Sequence, residues 1–328
     1  GLNASWTIYN GSKRLNTIKQ EKLNNQAANL DVETSENSIQ ESIAQIYIQI
    51  LYAAESVKVN ENTLQVSIAQ RDRGQELLNA GSIAKSDFAQ LEAQVSTDRY
   101  QLVTAQATLE DYKLQLKQLL ELDGENEMKV YLPALSDENV LLPLPTKKDV
   151  YMSALTLRPE IEASKLSVEA SELGIDIAKA GYLPTISLSA GIGTNHTSGS
   201  DFTFGEQVKN GWNNSIGVSV SVPIFNNRQT KSAVQKAKLQ RETSLLSLLD
   251  EQKTLYKTIE GLWLDANSAQ QRYAAANEKL RSTQISYDLI SEQFNLGMKN
   301  TVELLTEKNN LLQAQQEQLQ AKYMAILN

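Results

Sequence analysis

The sequence predicts a mainly α-helical, internally duplicated chain with a small β part. Long antiparallel coiled-coil hairpins are joined to a few short strands. Three observations lead there. The chain aligns with itself, without a gap, after a shift of about 216 residues. Apolar residues recur at spacings of three and four over very long stretches. Two short segments alternate strictly between aliphatic and small or hydroxylic side chains.

Under the shift, Trp6-Thr7-Ile8-Tyr9-Asn10 falls on Val222-Pro223-Ile224-Phe225-Asn226. Lys22-Leu23 falls on Lys238-Leu239, Ile43 on Ile259, Tyr47 on Trp263, Leu64 on Leu280, Gly81 on Gly297, and Asp87-Phe88 on Glu303-Leu304. A gapless register that carries strand onto strand and glycine onto glycine indicates an ancestral duplication. The period is far too long for a solenoid.

Each half holds a very long helix. Ile39, Ile43, Ile46, Ile50, Ala53, Val57, Leu64 and Ile68 trace one stripe, and Leu255, Ile259, Leu262, Ala266, Ala269, Tyr273, Leu280, Tyr287, Ile290 and Phe294 the other. This is the spacing of a coiled-coil seam. Residues 12–80 and 227–296 are each expected to span about 100 Å, at ~1.5 Å per residue. Gly81 and Gly297 interrupt the runs. A return helix follows each break, with Phe88, Leu91, Val95, Leu102, Leu109 and Leu116 in the first half and Val302, Leu305, Leu312, Leu319 and Tyr323 in the second. Each half is therefore a helical hairpin tipped by glycine. On these helices alone, a soluble coiled-coil scaffold with no transport role is an equal reading.

The strands weigh against a scaffold. In residues 183–193, Ile186, Leu188, Ala190 and Ile192 alternate with Ser187, Ser189, Gly191 and Gly193. In residues 215–225, Ile216, Val218, Val220, Val222 and Ile224 alternate with Gly217, Ser219 and Ser221. Period two places every aliphatic side chain on one face and leaves the other to small groups suited to a wet lumen. A length of about 10 residues matches a tilted membrane-spanning β-strand. The polar connection from Thr194 to Asn214 carries Phe202, Phe204 and Trp212, where an aromatic girdle would lie.

Composition narrows the function classes. A chain of 328 residues ordinarily forms two globular domains, yet Phe numbers only 5 and no cysteine is present. The bias towards Ala, Gln, Asn, Ser, Leu, Glu and Lys suits long helices packed through narrow seams. Without cysteine there is no disulfide and no thiolate metal site. A net charge of −8 disfavours nucleic acid as a partner. His196 is the sole histidine and sits in a Gly/Ser-rich loop, which gives a Ser-His-Asp system or a histidine metal site little support. Gly191-Ile192-Gly193 lacks the rest of a dinucleotide fingerprint. No enzyme, cofactor or metal site is expected.

Several short motifs now combine: Tyr182-Leu183-Pro184-Thr185 entering a strand, Leu157-Arg158-Pro159-Glu160-Ile161 opening a helix, the strand exit Val222-Pro223-Ile224-Phe225, and the duplicated glycine-tipped hairpins. Together they resemble the TolC family of outer-membrane efflux proteins over nearly the whole chain. The resemblance implies a passive exit duct of a tripartite efflux or type I secretion system in the outer membrane of a Gram-negative bacterium. It implies a homotrimer of the full-length protein sharing one β-barrel of about 12 strands, with a periplasmic α-barrel gated at its helical tip. The partners implied are a periplasmic adaptor (membrane fusion) protein, an inner-membrane pump and the lipid bilayer.

The expected organisation is a first repeat over residues 1–122, an equatorial linker over 123–157, and a second repeat over 158–328 with strands at 183–196 and 214–225. Gly1 stands just before a strand, so the N-terminal part of the first repeat is expected to be missing. Three such chains would bring about nine strands where the family barrel has about 12, leaving open edges that lipid does not tolerate. The chain as it stands is therefore expected to be monomeric or altered in its strand region.

The resemblance also places the functional residues. The family's inner-coil pattern of Tyr, Gly, Arg and two Asp reads here as Phe294, Gly297, Lys299, Glu303 and Thr306, and its Thr-Asp partner reads Ser86-Asp87. The glycine, a cation and one acid are kept, while the aromatic hydroxyl and the second acid are not. Asp87, Ser86, Phe294, Lys299, Glu303 and Thr306 are the gate candidates. Glu303 is expected to form an acidic ring, and Lys299 to pair with Asp87. Ala80, Gly81, Ser82, Leu296, Gly297 and Met298 match the tip where an adaptor would dock. The bland reading for this region is helix capping by Ser86 or Thr301 after a glycine turn.

Overall fold

The computed structural model describes residues 1–122, 129–133 and 140–327. The elements run β1 (Leu2–Asn10), α1 (Lys13–Asn79), α2 (Lys85–Leu119), α3 (Lys147–Leu157), α4 (Pro159–Lys179), β2 (Thr185–Gly193), α5 (Phe204–Asn210), β3 (Asn213–Ser221), α6 (Gln229–Asn295) and α7 (Thr301–Leu327). A 3-10 turn at Ala180–Tyr182 leads from α4 into β2.

The duplication is written into these boundaries. The shift of about 216 residues carries Lys13 onto Gln229, Asn79 onto Asn295 and Lys85 onto Thr301, so the long helices and the return helices start and stop in step. Left-handed backbone coincides as well. Gly11 and Ser12 have φ of 66° and 65°, and their counterparts Asn227 and Arg228 have 49° and 60°. Gly81 and Gly297 have 74° and 76°.

Both tips close by the same pair of bonds. Ser82 N–H donates to the Leu77 carbonyl at 2.8 Å and Gly81 N–H to Leu78 at 2.9 Å; Met298 donates to Gln293 and Gly297 to Phe294, each at 2.9 Å. This is a Schellman ending, which needs one left-handed residue. A Cβ on either glycine would meet nothing within 4 Å. Glycine is required there for its φ, not for a close approach within the chain.

The chain forms two compact units, Gly1–Ser35 with Met152–Tyr256, and Glu36–Tyr151 with Lys257 onward. In the first, the strands form an antiparallel sheet in the order β1-β2-β3. Its register sets Trp6 beside Leu188 and Leu188 beside Val218, and likewise Ala4 beside Ala190 and Ala190 beside Ile216. The three alternations therefore fall in phase, past a bulge between Thr7 and Tyr9, and one face is apolar except where Asn214 stands beside Ile192. Ser5, Ser189 and Gly217 form a row of the opposite face, as do Asn3, Gly191 and Ser215. The apolar face is bare: Ile216, Val218 and Val220 are 84%, 66% and 62% exposed. The other face is exposed too at Ser5, Ser189 and Ser215, but its small residues are set close together: a Cβ on Gly191 would lie 2.7 Å from Asn3 Oδ1 and 2.9 Å from Ser215 Oγ.

Two local expectations are corrected. The alternation carries β3 to Phe225, but the strand ends at Ser221; Pro223 brings no N–H to a ladder. The connection after β2 is not irregular throughout. It contains the short helix α5, capped where Thr203 N–H donates to Glu206 Oε2 at 2.9 Å and Glu206 N–H to Thr203 Oγ1 at 3.5 Å. In the same unit, Gln20 Nε2 donates to the Ala170 carbonyl at 2.8 Å, and Arg241 and Ser164 bond Glu172 and Glu251, which ties α4 to α1 and α6.

In the second unit the seams of α1, α2, α6 and α7 meet. Leu51, Leu319 and Tyr323 form an apolar cluster, with Tyr52 set edge-on to Tyr323 at a centroid distance of 6.2 Å. Residues 123–128 and 134–139 of the expected linker lie outside the described residues, and its end is the helix α3. Its described parts are tied to the long helices by equivalent aromatics. Tyr47 Oη donates to the Tyr131 carbonyl at 2.7 Å, and Trp263 Nε1 to the Pro145 carbonyl at 3.0 Å. Lys147 lies 4.9 Å from the Trp263 ring centre and 3.1 Å from Glu260.

Candidate functional site

The gate candidates cluster where the return helices begin. Asn300 caps α7 reciprocally: Glu303 N–H donates to Asn300 Oδ1 at 2.9 Å, and Asn300 N–H to Glu303 Oε2 at 3.2 Å. The equivalent positions in the first repeat are Ala84 and Asp87. Alanine offers no oxygen, so one half of the box remains, Ala84 N–H to Asp87 Oδ2 at 3.4 Å. The capping residues are thus Asp87 and the Asn300–Glu303 pair. Ser86 is exposed, and Thr301 is buried with its hydroxyl unpaired.

Glu303 does more than cap. Lys299 Nζ lies 2.5 Å from Glu303 Oε1, a contact one turn along the chain. The bond from Lys299, then the Asn300 N–H, hold the Glu303 carboxyl below its ordinary value of 4.5. The expected pair between Lys299 and Asp87 is not formed within this chain. Spacing explains it: at i,i+4 the acid needs no long-range placement, whereas Asp87 is engaged at the start of α2. Phe294 is buried, while Thr306 is exposed and bonds back to the Val302 carbonyl at 2.7 Å.

The six tip residues Ala80, Gly81, Ser82, Leu296, Gly297 and Met298 are all exposed. Leu296 and Met298 flank Gly297 at 69% and 71% exposure. Two large apolar side chains thus stand in solvent at this turn.

The structure also brings together a group that the apolar stripes hid. Ser67 on α1, Asp98 on α2 and Lys308 on α7 are buried in mutual contact: Lys308 Nζ donates to Ser67 Oγ and Asp98 Oδ2, and Ser67 Oγ donates to Asp98 Oδ2. Gln94 Nε2 fills the other carboxylate oxygen at 2.9 Å. Burial pulls the Lys308 ammonium below its ordinary value of 10.5, and the Asp98 carboxylate opposes that shift. The signal for this group is a charge on a seam: Asp98 falls between Val95 and Leu102, and Lys308 between Leu304 and Leu312. His196, by contrast, sits on the β2–β3 connection, 3.1 Å from Gln207 and edge-on to Phe204. Among the described residues no group of three or more His, Cys, Asp or Glu is placed to hold a metal, and no helix is long and apolar enough to cross a membrane.

Comparison with known proteins agrees with this arrangement. The profile of the outer membrane efflux protein family matches residues 1–121 and 150–326. The chain is 24% identical over 328 residues to outer membrane efflux protein BepC of Brucella suis biovar 1, covering 100% of this chain and 69% of that protein. It is 25% identical over 309 residues to outer membrane protein TolC of Escherichia coli K12, covering 90% of this chain and 60% of that one. It thus spans about two thirds of the length of these relatives. The outer-membrane channel OprN shares its fold, with a TM-score of 0.81 at 20% identity over 100% of this chain and 73% of the channel. So does the Campylobacter jejuni CmeC outer membrane channel, with a TM-score of 0.80 at 20% identity over 99% and 68%. With its profile matched over both repeats and its fold that of solved outer-membrane channels, the chain belongs to the outer membrane efflux protein family.

Proposed function

We propose that this chain supplies the strands and periplasmic hairpins of a passive outer-membrane exit duct, a trimer in the full-length protein, working with a periplasmic adaptor and an inner-membrane pump. One observation carries the reading. A sheet with a bare aliphatic face and an opposite face of serine and glycine is built into the same chain as two glycine-tipped hairpins. A soluble scaffold would not tolerate such a face in water, whereas a barrel wall requires it. The lipid-facing side is the row through Trp6, Leu188 and Val218, and the lumen side is the row through Ser5, Ser189 and Gly217.

In this reading the hairpins lie in the periplasm and their tips narrow the duct. Lys299, Glu303, Thr306 and Phe294 on the second hairpin and Ser86 and Asp87 on the first form the gate region. The exposed Leu296 and Met298, with Ala80, Gly81, Ser82 and Gly297, receive the adaptor. In this reading the chain performs no bond chemistry: its contacting serine, lysine and aspartate are buried against one another between three helices.

The test is fractionation of the full-length protein. Extraction only with detergent, a trimeric mass and ohmic conductance in a planar bilayer are expected. A protein that stays soluble without detergent and conducts nothing would be a coiled-coil scaffold instead.

A further inference from the structure

Among the described residues, the Asp98–Lys308 pair is the ion pair whose two side chains are both buried, at 1% and 3% exposure. Such a pair is a poor source of stability, because desolvation takes back most of the attraction. What it can supply is register. The apolar seam of α7 nearly repeats every seven residues, with Leu304 ahead of Leu311 and Leu312 ahead of Leu319. The seam of α2 does the same with Val95 and Leu102, then Leu109 and Leu116. Two such surfaces fit almost as well after a slip of one heptad, about 10 Å at ~1.5 Å per residue.

The duplication deepens this ambiguity, since α2 and α7 are copies of one ancestral helix. The cluster does not share that symmetry. The shift carries Ser67 onto Thr283 and Asp98 onto Ala314, and it brings Lys308 back onto Glu92. Ala314 is fully buried where the other repeat holds a charge. One side of the four-helix unit is keyed by charge and the other is filled by a methyl group.

We propose that Ser67, Asp98 and Lys308 form a register pin that fixes the height of α7 against α1 and α2. A slip along α7 in either direction would strand a buried ammonium and a buried carboxylate apart, which costs far more than the displaced leucines. The pin sits a little over two turns beyond Asn300, so it also sets the height of everything α7 carries towards the tip.

Engineered cysteine pairs test this, and the native chain has no cysteine to interfere. Gln94 Nε2 and Asn309 Oδ1 lie 3.4 Å apart beside the cluster. One heptad further along α7 stands Gln316. In the full-length protein, Gln94→Cys with Asn309→Cys reports the native register, and Gln94→Cys with Gln316→Cys reports the slipped one. The loss of Gln94 is common to every arm. With the cluster intact, only the first pair is expected to cross-link. With Ser67→Ala, Asp98→Leu and Lys308→Met together, the slipped pair should rise from none to a fraction comparable with the native pair, with the thermal midpoint unchanged or higher. Cross-linking confined to the native pair in that variant would overturn the pin. If the apolar variant does not assemble, the swap Asp98→Lys with Lys308→Asp decides: the native pair alone supports the pin, and equal cross-linking of both pairs overturns it. The readout makes no use of conductance, so it stands apart from the fate of the duct reading.

Discussion

Lys299 Nζ meets Glu303 Oε1 at 2.5 Å, one helical turn apart across the cap of α7. Under three-fold symmetry the candidate acidic ring would therefore carry its own counter-charges, and the two residues have opposite effects on ions. Glu303→Gln should abolish block by multivalent cations from the periplasmic side, and Lys299→Ala should strengthen it. Acid gives the same information without mutation. The Glu303 carboxyl is held below 4.5, so its charge and the stabilisation it gives the tip are fully present above that value. Both are lost as pH falls below 4.5 through the depressed pKa. Single-channel block measured from pH 7 downward should be flat until then. A loss of block nearer neutrality would place the cation site on another group.

Glycine substitutions separate conformation from packing. Gly297→Ala and Gly81→Ala force a Cβ into left-handed backbone and should each cost about 1 kcal/mol. Gly261 is interior to α6 with nothing within 4 Å of a Cβ. There alanine should stabilise by about 0.5–1 kcal/mol through helix propensity and a less flexible unfolded chain. Denaturant midpoints of the full-length protein give both signs, and equal signs would mean that α6 packs closely at Gly261 in the assembly.

The buried pair makes a stability prediction distinct from its register. Asp98→Leu alone leaves the Lys308 ammonium buried without a counter-charge and should destabilise by about 3–5 kcal/mol. Asp98→Leu with Lys308→Met should recover that loss in full or exceed it. A thermodynamic cycle over the two sites measures the coupling, and additive losses would mean that Lys308 escapes to water when Asp98 is removed.

How much of this was legible in the sequence follows from which interactions are local. Helix periodicity, glycine turns and strand alternation are properties of neighbouring residues, and they place the limits of the two long helices to within one or two residues. By contrast, α3 and α5 stand where a linker and a polar connection are expected. The cap position differs by one residue in the second repeat, Asn300 for Thr301, and by two in the first, Ala84 for Ser86, because a box is defined by where the helix begins. The Ser67–Asp98–Lys308 cluster joins residues 31 and 210 positions apart on three helices. No stripe on one helix reveals it; only a charge where an aliphatic residue was due gives it away. Tyr47 and Trp263 were visible as equivalent positions, but their hydrogen bonds reach a linker whose path is not periodic.

The two faces of the sheet make the sharpest test of the barrel reading. Val218 and Ser219 are adjacent in β3, so the same substitution at each meets opposite surroundings. Val218→Arg places a guanidinium on the bare aliphatic face, which in lipid costs about 2–4 kcal/mol near the bilayer midplane. It should lower the yield of assembled trimer in the outer membrane. Ser219→Arg places the same charge on the hydroxyl and glycine face, where water can solvate it. That variant should assemble at the native level and pass fewer cations, because three added charges line the pore. Trimer yield on a detergent gel and ion selectivity in planar bilayers read the two effects separately. Equal tolerance at both positions would mean that neither face meets lipid, and the sheet would have to be packed against protein instead.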